Sequence, residues 1–342
     1  MREIVGKRLA SAGNGGKRFP HDLEFPEAIM HVIAQVGTNF FFQQLELGIT
    51  TGALYALVAL GYTLVYGIIE LINFAHGDVF MWSTVISLVV VEQFRFAEGT
   101  TGLALVGILI FLIAVGMATS AAINVTIERF AYRRLRKAPR LAPLIAAVGA
   151  SFLLSTAAQL WRGSSQVPYP QIFPRGSINF GLFTIKYSEV LTLVVAIGLM
   201  YALNLFVQQT KLGRAMRATA QDPEAASLMG VDINNTIFIA FLIGGALAGA
   251  AGVLYNLNDG YVWFFTGFRF GLVAFTAAVL GGIGNIYGAV LGGFVIGVVQ
   301  SMTNAYVPNG IAWSDAIVFG ILVLVLVVRP SGLLGQQVPD KV

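Results

Sequence analysis

The sequence has no cysteine and only three histidines, and just 11% of its 342 residues are Asp, Glu, Lys or Arg. Without cysteine there is neither a disulfide framework nor a thiolate metal site, and the redox compartment cannot be read. So little charge excludes an ordinary water-soluble domain, which needs a polar shell. Ten-residue segments alternating apolar and polar, the mark of an outer-membrane barrel, are missing. Basic residues interleaved with aromatics are missing too, so the net charge of +4 is no nucleic-acid footprint. There is no G-x-x-x-x-G-K-[ST] phosphate loop. The nearest approach, Gly13-Asn14-Gly15-Gly16-Lys17, has Ser11 at the first glycine position and Arg18 at the hydroxyl position. A membrane-embedded enzyme would need a convergent nucleophile, base or metal set. His21 and His31 lie in the N-terminal stretch, which leaves His76 alone within the apolar part.

What is present is apolar sequence in long blocks. Hydrophobic residues make up 56% of the chain, with mean hydropathy +0.77. No charged residue occurs from Leu47 to Ile69, Gly99 to Ile127, Leu141 to Trp161, Val190 to Thr210, Ile233 to Asn258 or Phe270 to Ser314. A hydrocarbon core about 30 Å thick takes roughly 20 apolar residues per helix, and backbone groups in lipid must be paired within the segment. The fold class is therefore an all-α polytopic membrane protein with about eight to ten transmembrane or re-entrant helices. Its 39 glycines point to tight helix packing, since small residues let helices approach in lipid.

Residues 1–43 read as a basic, flexible N-terminal tail, with an amphipathic piece near 25–42. The apolar run Val79–Val91 is short for a crossing. It is either a tilted span that includes 73–78 or a re-entrant half-helix, and the sidedness of the N-terminus depends on which. The loop 128–140 carries Arg129, Arg133, Arg134, Arg136, Lys137 and Arg140 against Glu128 alone, which marks the cytoplasmic side. The connector 162–187 then faces outside, and the loop 211–232, with Lys211, Arg214 and Arg217, faces inside. The tract from Phe270 to Ser314 is too long for one crossing and is expected to break at Gly281-Gly282-Ile283-Gly284-Asn285. A last span near 311–328 ends at Arg329-Pro330, and 336–342 forms a C-terminal tail.

Three groups of residues are candidates for function. In the 211–235 loop, Asp222 suits an N-cap, Pro223 a first helical position and Glu224 the positive end of a helix dipole, while Gly230 is placed to stop the helix. The loop should hold a short helix at the cytoplasmic surface; an ordinary ordered loop is the alternative. Asn73, His76, Gly77 and Asp78 form a polar group beside an apolar run, where such residues usually face a bundle interior or water-filled path. A solvated loop with Asp78 capping the next helix is the bland alternative, and a gating role is favoured over direct substrate contact. Third, Gly284, Gly288 and Gly292 recur every four residues, as do Gly245 and Gly249, and Gly48 and Gly52, which is a packing pattern. The aromatics Tyr261, Trp263, Phe264, Phe265 and Phe268 read as an external interfacial belt.

Glu224-Ala225-Ala226-x-x-x-Gly230 resembles the EAA-x-x-x-G motif of importer permeases of the ATP-binding cassette (ABC) class. Gly61-Tyr62-Thr63-Leu64-Val65-Tyr66-Gly67-Ile68 and Ile72-Asn73-Phe74-Ala75-His76-Gly77-Asp78 stand beside it. So do the stretch Ala274 to Asn285, Ala-Phe-Thr-Ala-Ala-Val-Leu-Gly-Gly-Ile-Gly-Asn, and Arg329-Pro330-Ser331-Gly332-Leu333-Leu334-Gly335. Together these resemble the LivH-type permease of branched-chain amino acid importers from about residue 45 to 335, within a permease domain of 44–335. The resemblance implies a non-enzymatic permease subunit in the cytoplasmic (inner) membrane, with a LivM-type permease, two ATPase subunits and an extracytoplasmic binding protein as partners. No cofactor would bind this chain; ATP and Mg would sit on the ATPases. Arg214, Arg217, Asp222, Pro223, Glu224, Ala225, Ala226 and Gly230 would form the coupling loop, and Asn73, His76, Gly77 and Asp78 would lie along the translocation path. Urea or amide import within the same class, or a secondary transporter or channel, are the other readings. A secondary transporter would be expected to bury carboxylates at mid-membrane, and Glu70, Asp78 and Asp315 all lie near breaks or ends. No polar cluster legible in the sequence matches an amino acid zwitterion.

Overall fold

The charge-free tracts become helices. The computed structural model describes residues 25–96, 101–135, 138–139 and 141–335, with side chains from Gly37 onward. In chain order the helices are α1 (Phe25–Ile69), α2 (His76–Phe94), α3 (Gly102–Ile127), α4 (Leu141–Arg162), α5 (Tyr187–Gln209), α6 (Lys211–Gln221), α7 (Pro223–Leu228), α8 (Ile233–Asp259), α9 (Thr266–Gly281), α10 (Ile286–Tyr306) and α11 (Gly310–Val328). Eight are long and apolar enough to cross a membrane, α9 being the shorter exception alongside the two loop helices. Most of residues 1–43, the basic stretch 1–24 and the near-miss phosphate loop included, lie outside the described residues; α1 begins at Phe25 and runs unbroken through position 43.

The crossings alternate ends. At one end lie the basic segment after α3, the helices α6 and α7, the turn 282–285 and residues 329–335. By its excess of Lys and Arg this is the cytoplasmic end. At the other end, β1 (Val167–Pro168) pairs antiparallel with β4 (Tyr261–Val262), and β2 (Ser177–Asn179) with β3 (Thr184–Lys186). The connector 162–187 is thus a small external cap, tied down by Trp263 Nε1 donating to Ser164 O at 3.0 Å. Tyr169 is buried in it, and burial pushes its phenol up to about 12.

α1, α2 and α8 form the enclosed centre, and α1 packs along α10, α8 and α9. α1 and α10 run antiparallel at backbone contact: a Cβ on Gly48 would stand 2.7 Å from Val298 Cα, and one on Gly52 2.8 Å from Phe294 Cα. α8 lies against α3 in the same way, with a Cβ on Gly245 falling 2.7 Å from Ser120 O and one on Gly249 2.7 Å from Met117 Cα. Gly288 and Gly292 let α10 approach Gly281 and Ala277 of α9. Gly284 departs from the expected ladder. It precedes α10 in the turn, at φ 93°, a conformation only glycine adopts freely, so its spacing from Gly288 reflects turn geometry rather than a shared helix face. Asn285 then caps α10 by accepting from Gly288 N at 3.1 Å.

α2 resolves the short apolar run. It is a helix of 19 residues that takes in His76, Gly77 and Asp78 and ends at Phe94. α1 stops at Ile69 near the cytoplasmic end, and Glu70–Ala75 turns back into the bundle, so that His76 lies against Gly61. Gly61 is eight residues inside the end of α1, so α2 starts about 12 Å in from that end. α2 then leaves at the external end, where Arg162 pairs with Glu92 at 2.7 Å. Accordingly α1 enters the bundle from the external side. α3 continues beyond Ile127 through a π-helical turn, Glu128–Tyr132, which buries Glu128 and directs the Tyr132 hydroxyl to Ile72 O at 2.9 Å.

Candidate functional site

At the cytoplasmic end, α6 and α7 form a braced pair. Thr210 caps α6, its Oγ1 accepting from Gly213 N at 2.9 Å. α6 is strongly two-faced, burying Gly213, Met216 and Thr219. Arg217 donates to Val207 O, and Arg214 Nη1 donates to Gln209 O at 3.3 Å. Both guanidiniums thereby satisfy carbonyls at the C-terminal end of α5, groups that lack helical partners. Asp222 caps α7, its Oδ1 accepting from Glu224 N and Ala225 N, each at 3.0 Å, with Pro223 at the first helical position. Ala226 is buried beneath the helix. Gly230 ends it at φ 84°, and Val231 N returns to Ala226 O at 3.0 Å. Leu228 and Met229 stand 89% and 85% exposed on the outward edge of this capped hairpin. Both are large apolar side chains held on a capped, rigid support beyond the membrane.

The second group is enclosed. Asn73, His76 and Asp78 are 2%, 1% and 0% exposed, which removes the solvated-loop alternative. Asn73 Nδ2 donates to Asn124 Oδ1 at 3.0 Å, and Asn124 Nδ2 donates to Phe241 O at 2.6 Å, tying the 70–75 segment to α3 and α8. Ser151 of α4 donates to Asp78 Oδ2. The His76 ring meets Tyr62 edge-on, with centroids 4.8 Å apart. Gly77 fits against Gly267 and Gly271 of α9, where a side chain would collide. Asp78 stands in the first turn of α2, near a helix end as the sequence placed it, but that end is enclosed by the bundle and the carboxylate is buried. Glu46, also buried, accepts from Thr50 Oγ1 at 3.1 Å.

The motifs quoted from the sequence meet in pairs. Gly61 abuts His76, which joins the first two. Leu333 N donates to Leu280 O at 2.8 Å, Leu334 N to Gly281 O at 2.9 Å, and Asn285 Nδ2 to Leu334 O at 2.8 Å, which clamps 329–335 onto 274–285. Sequence reasoning paired none of the charges that meet in the structure, among them two that bridge α9 and α11. Arg269 of α9 and Asp315 of α11 form a two-pronged contact, Nε to Oδ2 at 2.8 Å and Nη2 to Oδ1 at 3.1 Å. The only sequence signal was that these two residues bound the longest charge-free tract.

Residues 44–326 match the family described as branched-chain amino acid transport system / permease component. The chain is 41% identical over 307 residues to the high-affinity branched-chain amino acid transport system permease protein BraD of Pseudomonas aeruginosa, covering 88% of this chain and 98% of that one. It is 40% identical over 308 residues to LivH, the permease protein of the same description from Escherichia coli K12, covering 89% and 98%. LivM of Escherichia coli K12, likewise described, is 30% identical over 197 residues, covering 52% of this chain and 45% of that one.

Proposed function

The chain belongs to the family of branched-chain amino acid transport permease components, and from that premise we propose that it is one transmembrane half of an importer driven by separate ATPases. Its cargo is a branched-chain or related amino acid. It sits in the cytoplasmic membrane beside a LivM-type permease, receives cargo from an extracytoplasmic binding protein, and is driven by ATPase subunits docked on its cytoplasmic end. The chain itself binds no nucleotide.

The observation that carries this reading is the capped α6–α7 hairpin with Leu228 and Met229 on its rim. A helix that transmits force has to be stiff and anchored to the spans. α7 is held by Asp222 at one end and Gly230 at the other, and α6 is fastened to α5 through Arg214 and Arg217. Motion of the ATPase edge would pass through α6 to α5 and α8 rather than being absorbed by a loop. The enclosed Asn73–Asn124–Phe241 chain would hold the mid-bundle start of α2 in place while the outer helices move. Glu224→Arg combined with Ala226→Asp should abolish ATP-driven leucine uptake by the complete assembly while the chain still inserts. Normal uptake by that variant would overturn the coupling assignment.

A further inference from the structure

The Arg269–Asp315 pair sits where lipid would be hostile to it. Phe270, next to Arg269, places its ring centroid 4.5 Å from that of Tyr55. Tyr55 is eight residues beyond the start of the charge-free tract of α1, about 12 Å along the helix. Even so, the Arg269 and Asp315 side chains are 49% and 33% exposed on the surface of this single chain. Charged residues at membrane depth face protein or water, so this face of α9 and α11 is not a lipid face.

The surroundings are specific. Phe265, the N-cap residue of α9, lies one turn external to Arg269 and is 41% exposed, and Ile311 lies one turn external to Asp315 on α11 and is 74% exposed. Residues four apart share a helix face. The patch therefore offers a guanidinium fork, a carboxylate and an exposed apolar rim above them. An amphipathic zwitterion with an aliphatic side chain has the same three parts.

Resting on the importer reading, we propose that Arg269 and Asp315 form a zwitterion-recognition site on the translocation path. The ligand is a free α-amino acid with an apolar side chain. Its carboxylate takes the Arg269 fork, which suits planar bidentate partners. Its ammonium takes the Asp315 carboxylate, and its side chain rests on Phe265 and Ile311. One internal ion pair is exchanged for two ligand pairs, so no charge is left uncompensated during passage. When the ligand leaves, the two side chains close on each other again, as in the present structure.

The test uses the complete transporter in liposomes with radiolabelled leucine as probe. Arg269→Gln and Asp315→Asn should each lower uptake at least about tenfold, the worth of one charge-assisted hydrogen bond. The reversed pair R269D/D315R rebuilds an ion pair but points the ligand's ends the wrong way, so uptake should stay equally low in an assembly that still co-purifies. Wild-type uptake by the reversed pair would show a purely structural contact and overturn the site alone. A wild-type assembly that carries no leucine would overturn the importer reading and the site with it. Because the chain has no native cysteine, Ile311→Cys gives a second readout that needs no transport by an ion-pair variant. A membrane-impermeant sulfonate thiol reagent should label it from outside, and leucine with its binding protein should slow the labelling. Complete protection of Ile311→Cys in the leucine-free assembly would overturn the site.

Discussion

Asn73 and Asn124, 51 positions apart, share a hydrogen bond of 3.0 Å in the interior of a membrane bundle. Asn124 in turn donates to Phe241 O, so one side chain joins the doubled-back segment before α2 to α3 and α8. Asn124→Leu would leave the Asn73 amide and the Phe241 carbonyl without this partner. The expected cost is about 1–3 kcal/mol, the penalty for orphaned buried polar groups. Thermal unfolding of the detergent-purified assembly checks it, and an unchanged midpoint would show that this bond does not stabilise the bundle.

The glycine contacts divide into tight and open. Gly52→Leu and Gly249→Leu must displace backbone of α10 and α3, and should abolish monodisperse protein. Gly107→Ala and Gly198→Ala meet nothing within 4 Å and should purify like wild type, or better given the helix propensity of Ala. Size-exclusion profiles of the four variants decide the matter.

The spans were legible because charge exclusion from hydrocarbon is a local property, written into each tract. The caps Asp222 and Asn285, the break at 282–285 and the stop at Gly230 were legible for the same reason, since a cap depends on neighbours two or three residues away. The partly submerged start of α2 was not, because its length depends on what Glu70–Ala75 packs against. Nor was the role of Arg214 and Arg217, whose partners are carbonyls of the preceding helix. Ser151 with Asp78 and Arg269 with Asp315 join residues 73 and 46 positions apart, and no periodicity encodes such distances. Asp78 is the helix-end residue the sequence indicated; what the sequence did not show is that this end lies buried in the bundle.

Removing the α7 cap should loosen the proposed coupling helix without unfolding the bundle. Asp222→Ala is expected to cost α7 about 1 kcal/mol, raising amide exchange over 224–228 roughly fivefold. Exchange in α8 from Ala240 onward should stay unchanged. Equal protection at 224–228 in both proteins would show that the helix does not depend on its cap.

The external cap should loosen at strongly alkaline pH. Tyr169 is buried as a neutral phenol with its value raised to about 12. Its folded value lies above the unfolded one, so its stabilisation is intact below about pH 10 and is lost as pH rises toward the folded value. Phenolate absorbance in wild type minus Tyr169→Phe should therefore show a late-titrating tyrosine. A difference spectrum that titrates near pH 10 would contradict burial of this ring.

In the proposed importer the rim of α7 meets an ATP-hydrolysing partner. A photocrosslinker at Leu228, whose side chain is 89% exposed, probes this contact in intact cells expressing the whole system. One dominant adduct containing an ATPase subunit is expected, with a yield that changes when ATP is depleted. Crosslinks to lipid alone, or none at all in cells that import leucine normally, would contradict it.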